Sequence, residues 1–289
     1  MPASHHGRMS NVLPTPVMDW HAPITPGLPP QPVPQAPAAG PDGAVPLQVS
    51  WARHLDELRA AQRLRHRVFA QEMGATLDSP LPGHDIDAFD DYCEHLLVRD
   101  AERGEVIGTY RVLTPAQAAR AGGLYSEGEF DLSPIAEWLP QAVEMGRSCV
   151  HADWRNGAVI LALWAELAAF MSRNQLRVML GCASVPMHWP GVARHGAAAA
   201  AIWHGLKDKH LTTPERRVRP HHPLPVHELQ DPALAAAVEA PALIRGYLRM
   251  GARLLGPPAW DPHFNTADLP ILLHIADLPP RYRRLLGMG

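Results

Sequence analysis

Apolar residues recur at Leu55, Leu58, Ala61, Leu64 and Val68, and the run stops at Gly74. That three-to-four spacing predicts a helix over 55–74 with one face in a core. The segment before it, LQVSWA (47–52), alternates like a strand. After an acidic loop over 75–92, CEHLLVRD (93–100) and EVIGTYRVLT (105–114) read as two strands joined through the turn AERG. QAVEMGRSCVH (141–151) is the next strand. GAVILALWAELAAFMSRN (157–174) is apolar on nearly every side and predicts a buried helix. QLRVMLGCASV (175–185) returns to strand character. Strand, helix, two strands, strand, helix, strand is the order of an α/β domain whose helices cross a mixed sheet.

Beyond 190 the pattern predicts a helix over 191–210, then an insertion over 211–231 rich in Pro, His and Arg. A helix from about Ala242 to Gly256, a strand over 269–278 and a terminal helical turn follow. There is no internal repeat. The late strand is expected to complete the same sheet, giving one domain over 47–289 with a variable insertion around 186–238.

Composition changes the picture at the N-terminus. Residues 1–46 hold twelve prolines, which cannot supply the backbone donors of a helix or sheet interior. A disordered, polyproline-rich tail is expected there. A formal net charge of −3 gives no case for general nucleic-acid binding, and 46% hydrophobic residues support a real core. No apolar run approaches the ~18 residues of a membrane span. The opening MPASHHGRMS lacks a secretory h-region, and the three cysteines, Cys93, Cys149 and Cys182, suit a reducing cytosol. A cytoplasmic protein is expected.

Candidate chemistry lies where charges sit beside apolar elements. Glu144 on a predicted strand could act as a general base, and a bulge at Gly146 would bring Arg147 to its face. A structural ion pair locking strand to helix is the alternative. Arg111 stands in mid-strand, where a lone guanidinium is expensive, and Asp85, Asp87, Asp90 and Asp91 of the acidic loop are its candidate partners. Arg65, Arg67 and Phe69 lie late in the first helix, where basic side chains also suit the helix dipole. At the strand-to-helix junction, Arg155, Asn156 and Gly157 could hold one phosphate, but the glycines of a pyrophosphate cradle are missing. No spacing for zinc is present, so no metal is expected. Arg245, Arg249 and Arg253 recur every four residues and predict one basic stripe. That stripe could be plain surface or a dock for an acidic carrier protein or an anionic membrane.

Taken in order, LRHRVF, DAFD, GTYRVL and EMGRSCV resemble the acyl-homoserine-lactone synthases, members of the GNAT acyltransferase superfamily. The fuller resemblance is to the ornithine lipid N-acyltransferases. It is carried by FDDYCEHLLV, GRSCVHADWRNGAVILALW, LGCASV, PALIRGYLRMGA and DPHFNTADLPILL, from about 50 to 277. The resemblance implies a GNAT-like fold and transfer of a 3-hydroxyacyl chain from acyl carrier protein to the α-amine of L-ornithine, with no bound cofactor. It marks Arg65, Phe69, Asp87, Asp90, Arg111, Glu144 and Arg147 as matches to the set used by the lactone synthases. Ala75 stands where those enzymes have Trp, a departure from that branch in particular. In this reading Glu144, Arg147 and Ser148 serve catalysis, with backbone N–H groups near Ser148 and Cys149 as an oxyanion site. Arg65, Phe69, Asp87, Asp90 and Arg111 serve the substrate, and Arg155, Asn156 and Gly157 the phosphopantetheine. Val178, Leu180 and the helix over 159–170 are expected to wall the acyl tunnel. The competing expectations are a lactone-synthase-like or other amino-acid N-acyltransferase, and a non-enzymatic peripheral membrane protein.

Overall fold

Nine residues of β10 (Thr266–His274) pair antiparallel with nine of β6 (Val178–Pro186), and this long ribbon anchors one half of the sheet. The computed structural model describes residues 46–235 and 237–288. The expected Pro-rich tail, apart from Pro46, lies outside them. In chain order the first half holds β1 (Leu47–Trp51), α1 (Leu55–His66), β2 (Glu94–Asp100), β3 (Val106–Leu113), α2 (Pro115–Ala121), α3 (Ser126–Glu129), β4 (Phe130–Asp131) and β5 (Ala142–Val150). Then come α4 (Ala158–Arg173), β6, α5 (Ala197–His210), β7 (Arg219–Pro220), α6 (Pro232–Ala235) and α7 (Ala242–Arg249). β8 (Arg253–Leu254), β9 (Ala259–Asp261), β10 and α8 (Pro280–Leu285) finish the fold. The main sheet runs β1-β2-β3-β5-β6-β10-β8, with β9 also on β10; β4 and β7 form a separate pair.

α4 makes the crossover between β5 and β6, the parallel pair of the main sheet. Its Val159, Leu163, Leu167, Phe170 and Met171 are buried against β2 and β3. Burying each such side chain contributes about 1.5–3 kcal/mol. Gly108 of β3 makes the close approach possible, since a Cβ there would lie 2.4 Å from Val159 Cγ1. α5 sets a run of buried alanines, Ala197–Ala201, into the same core. The region expected as a variable insertion therefore contributes a core helix. Among the described residues no helix is long and apolar enough to cross a membrane.

Several boundaries differ from the sequence pattern; the late strand expected over 269–278 is β10, over Thr266–His274. The first helix is α only to His66; Arg67–Glu72 is a π-helical turn, a distortion common at functional sites. The helix expected from 191 begins at Ala197, after Gly196 with φ +75°. The helix expected to run to Gly256 ends at Arg249. Gly251 turns with φ +99°, and Arg253 enters β8 opposite Leu272. Arg245, Arg249 and Arg253 thus form no helical stripe.

The feature that positions a site is a fork between β5 and β6. They pair only over Ala142–Glu144 with Val178–Leu180, then separate. At the fork Gly181 is required, because a Cβ there would lie 2.4 Å from the carbonyl oxygen of Met145. Beyond Glu144 the β5 edge facing β6 has no strand partner, so its backbone amides look into the gap.

Candidate active site

A cavity of about 530 Å³ occupies the fork and is lined from both faces of the sheet. On one face lie Glu144, Arg111, Tyr125, Ser126, Arg147, Cys182, Asp261 and Asp268. On the other lie Tyr110, Ser148, Ile160, Trp164, Ile244 and Tyr247. The first chamber is polar and charged, and the second is mostly apolar and walled by α4 and α7.

Beside the polar chamber stands a closed ring of alternating charges. Arg65 Nε donates to Asp85 Oδ2 at 2.8 Å, and its terminal nitrogens grip both oxygens of Asp90 at 2.8 and 3.1 Å. Arg111 donates to Asp90 at 2.9 Å and to Asp87 at 2.5 Å. Arg147 donates to Asp87 at 2.8 Å, and its Nε lies 3.3 Å from Asp85, closing the ring. Gln62 adds a donor to Asp90 at 2.7 Å. Burial alone would raise the Asp90 carboxyl, but Arg65 and Arg111 outweigh it and hold it far below the usual range. Asp87 is held low in the same way by Arg111 and Arg147. Arg65 is fully buried, and it, Asp87 and Asp90 are not among the residues lining the cavity, whereas Arg111, Arg147 and Phe69 are.

Arg147 reaches this ring through a bulge. Arg111 faces Gly146 and Thr109 faces Cys149, so Tyr110 opposes both Arg147 and Ser148. The strained residue is Arg147 itself, at φ +50°, which swings its side chain to the face of Glu144. Its guanidinium lies over the rings of Phe264 and Tyr125, 4.4 and 5.0 Å from their centroids. Among the described residues Glu144 makes no ion pair, to Arg147 or to a helix. Glu144 accepts instead from the backbone N–H groups of Tyr125 and Ser126, each at 2.7 Å, and from Ser126 Oγ at 2.5 Å. Burial raises its pKa, partly offset by those hydrogen bonds.

Across the fork, the Tyr110 and Tyr247 hydroxyls are in contact. Burial pushes both phenols up, so they stay protonated donors. In the polar chamber, Asp261 accepts from the backbone of His263 at 2.8 Å and Phe264 at 3.0 Å, and Thr266 Oγ1 donates to Asp268 at 2.9 Å. Burial pushes Asp268 up to about 6, with the neighbouring Asp261 adding to the shift. Burial, then Asp268 and Asp261, push Glu129 up to about 7.

At the start of α4, Gly157 (φ +95°) and Arg155 line the cavity but Asn156 does not. Asn156 Oδ1 accepts from Ala158 N–H at 3.0 Å, and Arg155 is tied to Glu72 at 2.6 Å and to the Val150 carbonyl at 3.0 Å. Val178 and Leu180 belong to a core cluster beside the cavity and do not line it. The α4 residues that line the cavity are Ile160 and Trp164. Sequence reasoning did not single out Tyr110, Tyr125, Ser126, Tyr247, Asp261 or Asp268. Tyr110, Tyr247, Asp261 and Asp268 sit inside the quoted segments GTYRVL, PALIRGYLRMGA and DPHFNTADLPILL, so a signal was present as pattern without a physical role attached.

Residues 64–165 match the family model described as an acetyltransferase (GNAT) domain, in agreement with the mixed sheet flanked by helices. The chain is 35% identical over 258 residues to the L-ornithine N(alpha)-acyltransferase of Brucella abortus, covering 83% of this chain and 89% of that one. It is 34% identical over 260 residues to the L-ornithine N(alpha)-acyltransferase of Rhodobacter capsulatus, covering 83% and 95%. Among solved structures, the AHL synthase LasI aligns over 85% of this chain and 97% of its own at 14% identity and a TM-score of 0.47, too distant to bear on the chemistry.

Proposed function

The chain belongs to the L-ornithine N(alpha)-acyltransferase family and is an acyltransferase, and from that premise we propose its reaction: a 3-hydroxyacyl chain moves from the phosphopantetheine thioester of acyl carrier protein to the α-amine of L-ornithine, giving lyso-ornithine lipid. The observation that carries this reading is the two-chambered cavity at the fork. A polar amino acid and an apolar acyl chain need two such chambers meeting at one carbonyl.

The thioester carbonyl lies in the gap, where unpaired β5 amides beyond Glu144 stabilise the developing oxyanion. The α-amine attacks from the polar chamber, so the C–N bond forms and the C–S bond breaks. Its proton passes to Ser126 Oγ, whose own proton moves to Glu144 along their existing hydrogen bond, and Glu144 releases it to solvent before the next turnover. A base so placed contributes typically ~10²–10⁴-fold. The leaving thiolate takes a proton from the Tyr110–Tyr247 pair, which solvent then reprotonates. Ser148 lies beside these hydroxyls in the apolar chamber.

The start of α4 favours a carrier-protein donor over coenzyme A. Asn156 occupies the Ala158 N–H and Arg155 is engaged by Glu72, which leaves a cradle suited to one phosphodiester. One domain over 47–289 is part of this reading, supported among the described residues by β8 and β10 joining the main sheet.

Steady-state assays of the purified chain with L-ornithine, read by mass spectrometry, test the proposal. Nα-(3-hydroxyacyl)ornithine is expected, with kcat/KM far higher for the carrier-protein thioester than for the coenzyme A thioester. No N-acylornithine from either donor overturns the reaction; equal kcat/KM overturns the donor.

A further inference from the structure

The polar chamber holds more negative charge than the protein itself neutralises. Asp261 ends β9, and Asp268 stands on β10 between Ser184 of β6 and Ala259 of β9. Both side chains line the cavity, and the residues are only 3% and 4% exposed. Buried carboxylates are normally paired with a cation. Every arginine lining this cavity is already committed elsewhere: Arg111 to Asp87 and Asp90, Arg147 to Asp85 and Asp87, Arg155 to Glu72. Among the described residues, no ion pair reaches Asp261, Asp268 or the adjoining Glu129.

Arg147 lines the same chamber, with its guanidinium over the rings of Phe264 and Tyr125. The chamber therefore presents one guanidinium and two carboxylates that have no ion-pair partner among the described residues. Together they suit a zwitterion carrying an additional ammonium group.

We propose that Asp261 and Asp268 seat the side-chain ammonium of the acceptor amino acid and so select a basic acceptor over a neutral one of the same length. This rests on the acyl-transfer reading above. The ammonium supplies the missing counter-charge, and Tyr125, whose hydroxyl lies 3.4 Å from Asp261, lines the approach. Losing a buried charge partner typically weakens recognition by ~10²-fold or more.

The test compares L-ornithine with L-norvaline, the same carbon chain without the side-chain amine, in the full chain and in Asp261→Asn and Asp268→Asn. The wild type should prefer ornithine in kcat/KM by about 10²-fold, and each variant that melts cooperatively should bring that ratio toward one. A preference kept intact in both variants overturns the assignment of these carboxylates alone. A wild-type ratio near one overturns it without any variant. Absence of ornithine acylation altogether overturns the underlying reading together with it.

Discussion

Two groups of buried carboxylates lie within one site and are treated in opposite ways. Asp85, Asp87 and Asp90 alternate with Arg65, Arg111 and Arg147 in a neutral ring. There the arginines outweigh burial, and Asp87 and Asp90 titrate below their ordinary range. Asp261 and Asp268, with Glu129 beside them, form no ion pair among the described residues, and burial moves Asp268 and Glu129 up to about 6 and about 7. The difference separates architecture from recognition. A carboxylate needed to pin the 85–91 loop to β3 and β5 comes with its guanidinium, whereas one facing the cavity is left for the substrate to match.

Glu144 belongs to neither group, since backbone amides and Ser126 satisfy it, and it gives the largest expected effect. Glu144→Gln should lower kcat ~10²–10⁴-fold with little loss of melting temperature. Near-wild-type turnover with a large drop in melting temperature would move Glu144 to the architectural side of the comparison.

A double-mutant cycle sharpens the boundary next. Asp90→Asn and Arg111→Met should couple by about 1–3 kcal/mol in unfolding free energy, and Asp90→Asn with Asp268→Asn by under ~0.5 kcal/mol. Comparable coupling in both cycles would erase the distinction between ring and corner.

A pH dependence separates the two groups in a further way. Asp268 binds its proton more tightly in the folded protein than in the unfolded chain. Its favourable contribution is therefore complete below about pH 4 and is lost as pH rises through about 6. Asp268→Asn removes that loss. The variant should be more stable than the wild type by about 2–3 kcal/mol above pH 7, with the gap closing toward pH 4. His95, held neutral by burial at a pKa of about 4, contributes with opposite sign but equally to both proteins, whereas Glu129, raised to about 7 by burial and then by Asp268, relaxes in the variant, so the difference reports Asp268 together with its coupling to Glu129. A gap independent of pH would show that Asp268 carries no unmatched charge.

Much of the ring was legible in the sequence, because a mid-strand Arg111 and an acidic loop each require a counter-charge. Its closure was not: Arg147 joins only through its own left-handed backbone, where the pattern suggested a bulge at Gly146. The acidic corner was hidden for a different reason. Tyr125 and Asp261 meet across 136 positions, and Asp261 read alone is a turn residue that binds the next backbone amides. The end of α7 was missed because apolar spacing continues past Arg249, while pairing of Arg253 and Leu254 with β10 overrides it. Local periodicity reports the elements, and the site depends on which distant strands share a face.

The most direct test of the separation is the melting temperature of ligand-free protein at pH 7.5 in three forms: wild type, Asp90→Asn and Asp268→Asn. Asp90→Asn leaves Arg65 and Arg111 short of a buried partner and should destabilise by about 3–5 kcal/mol. Asp268→Asn relieves an uncompensated charge and should melt above the wild type. A fall for Asp268→Asn comparable to that for Asp90→Asn would contradict the account, because both carboxylates would then be holding the fold together.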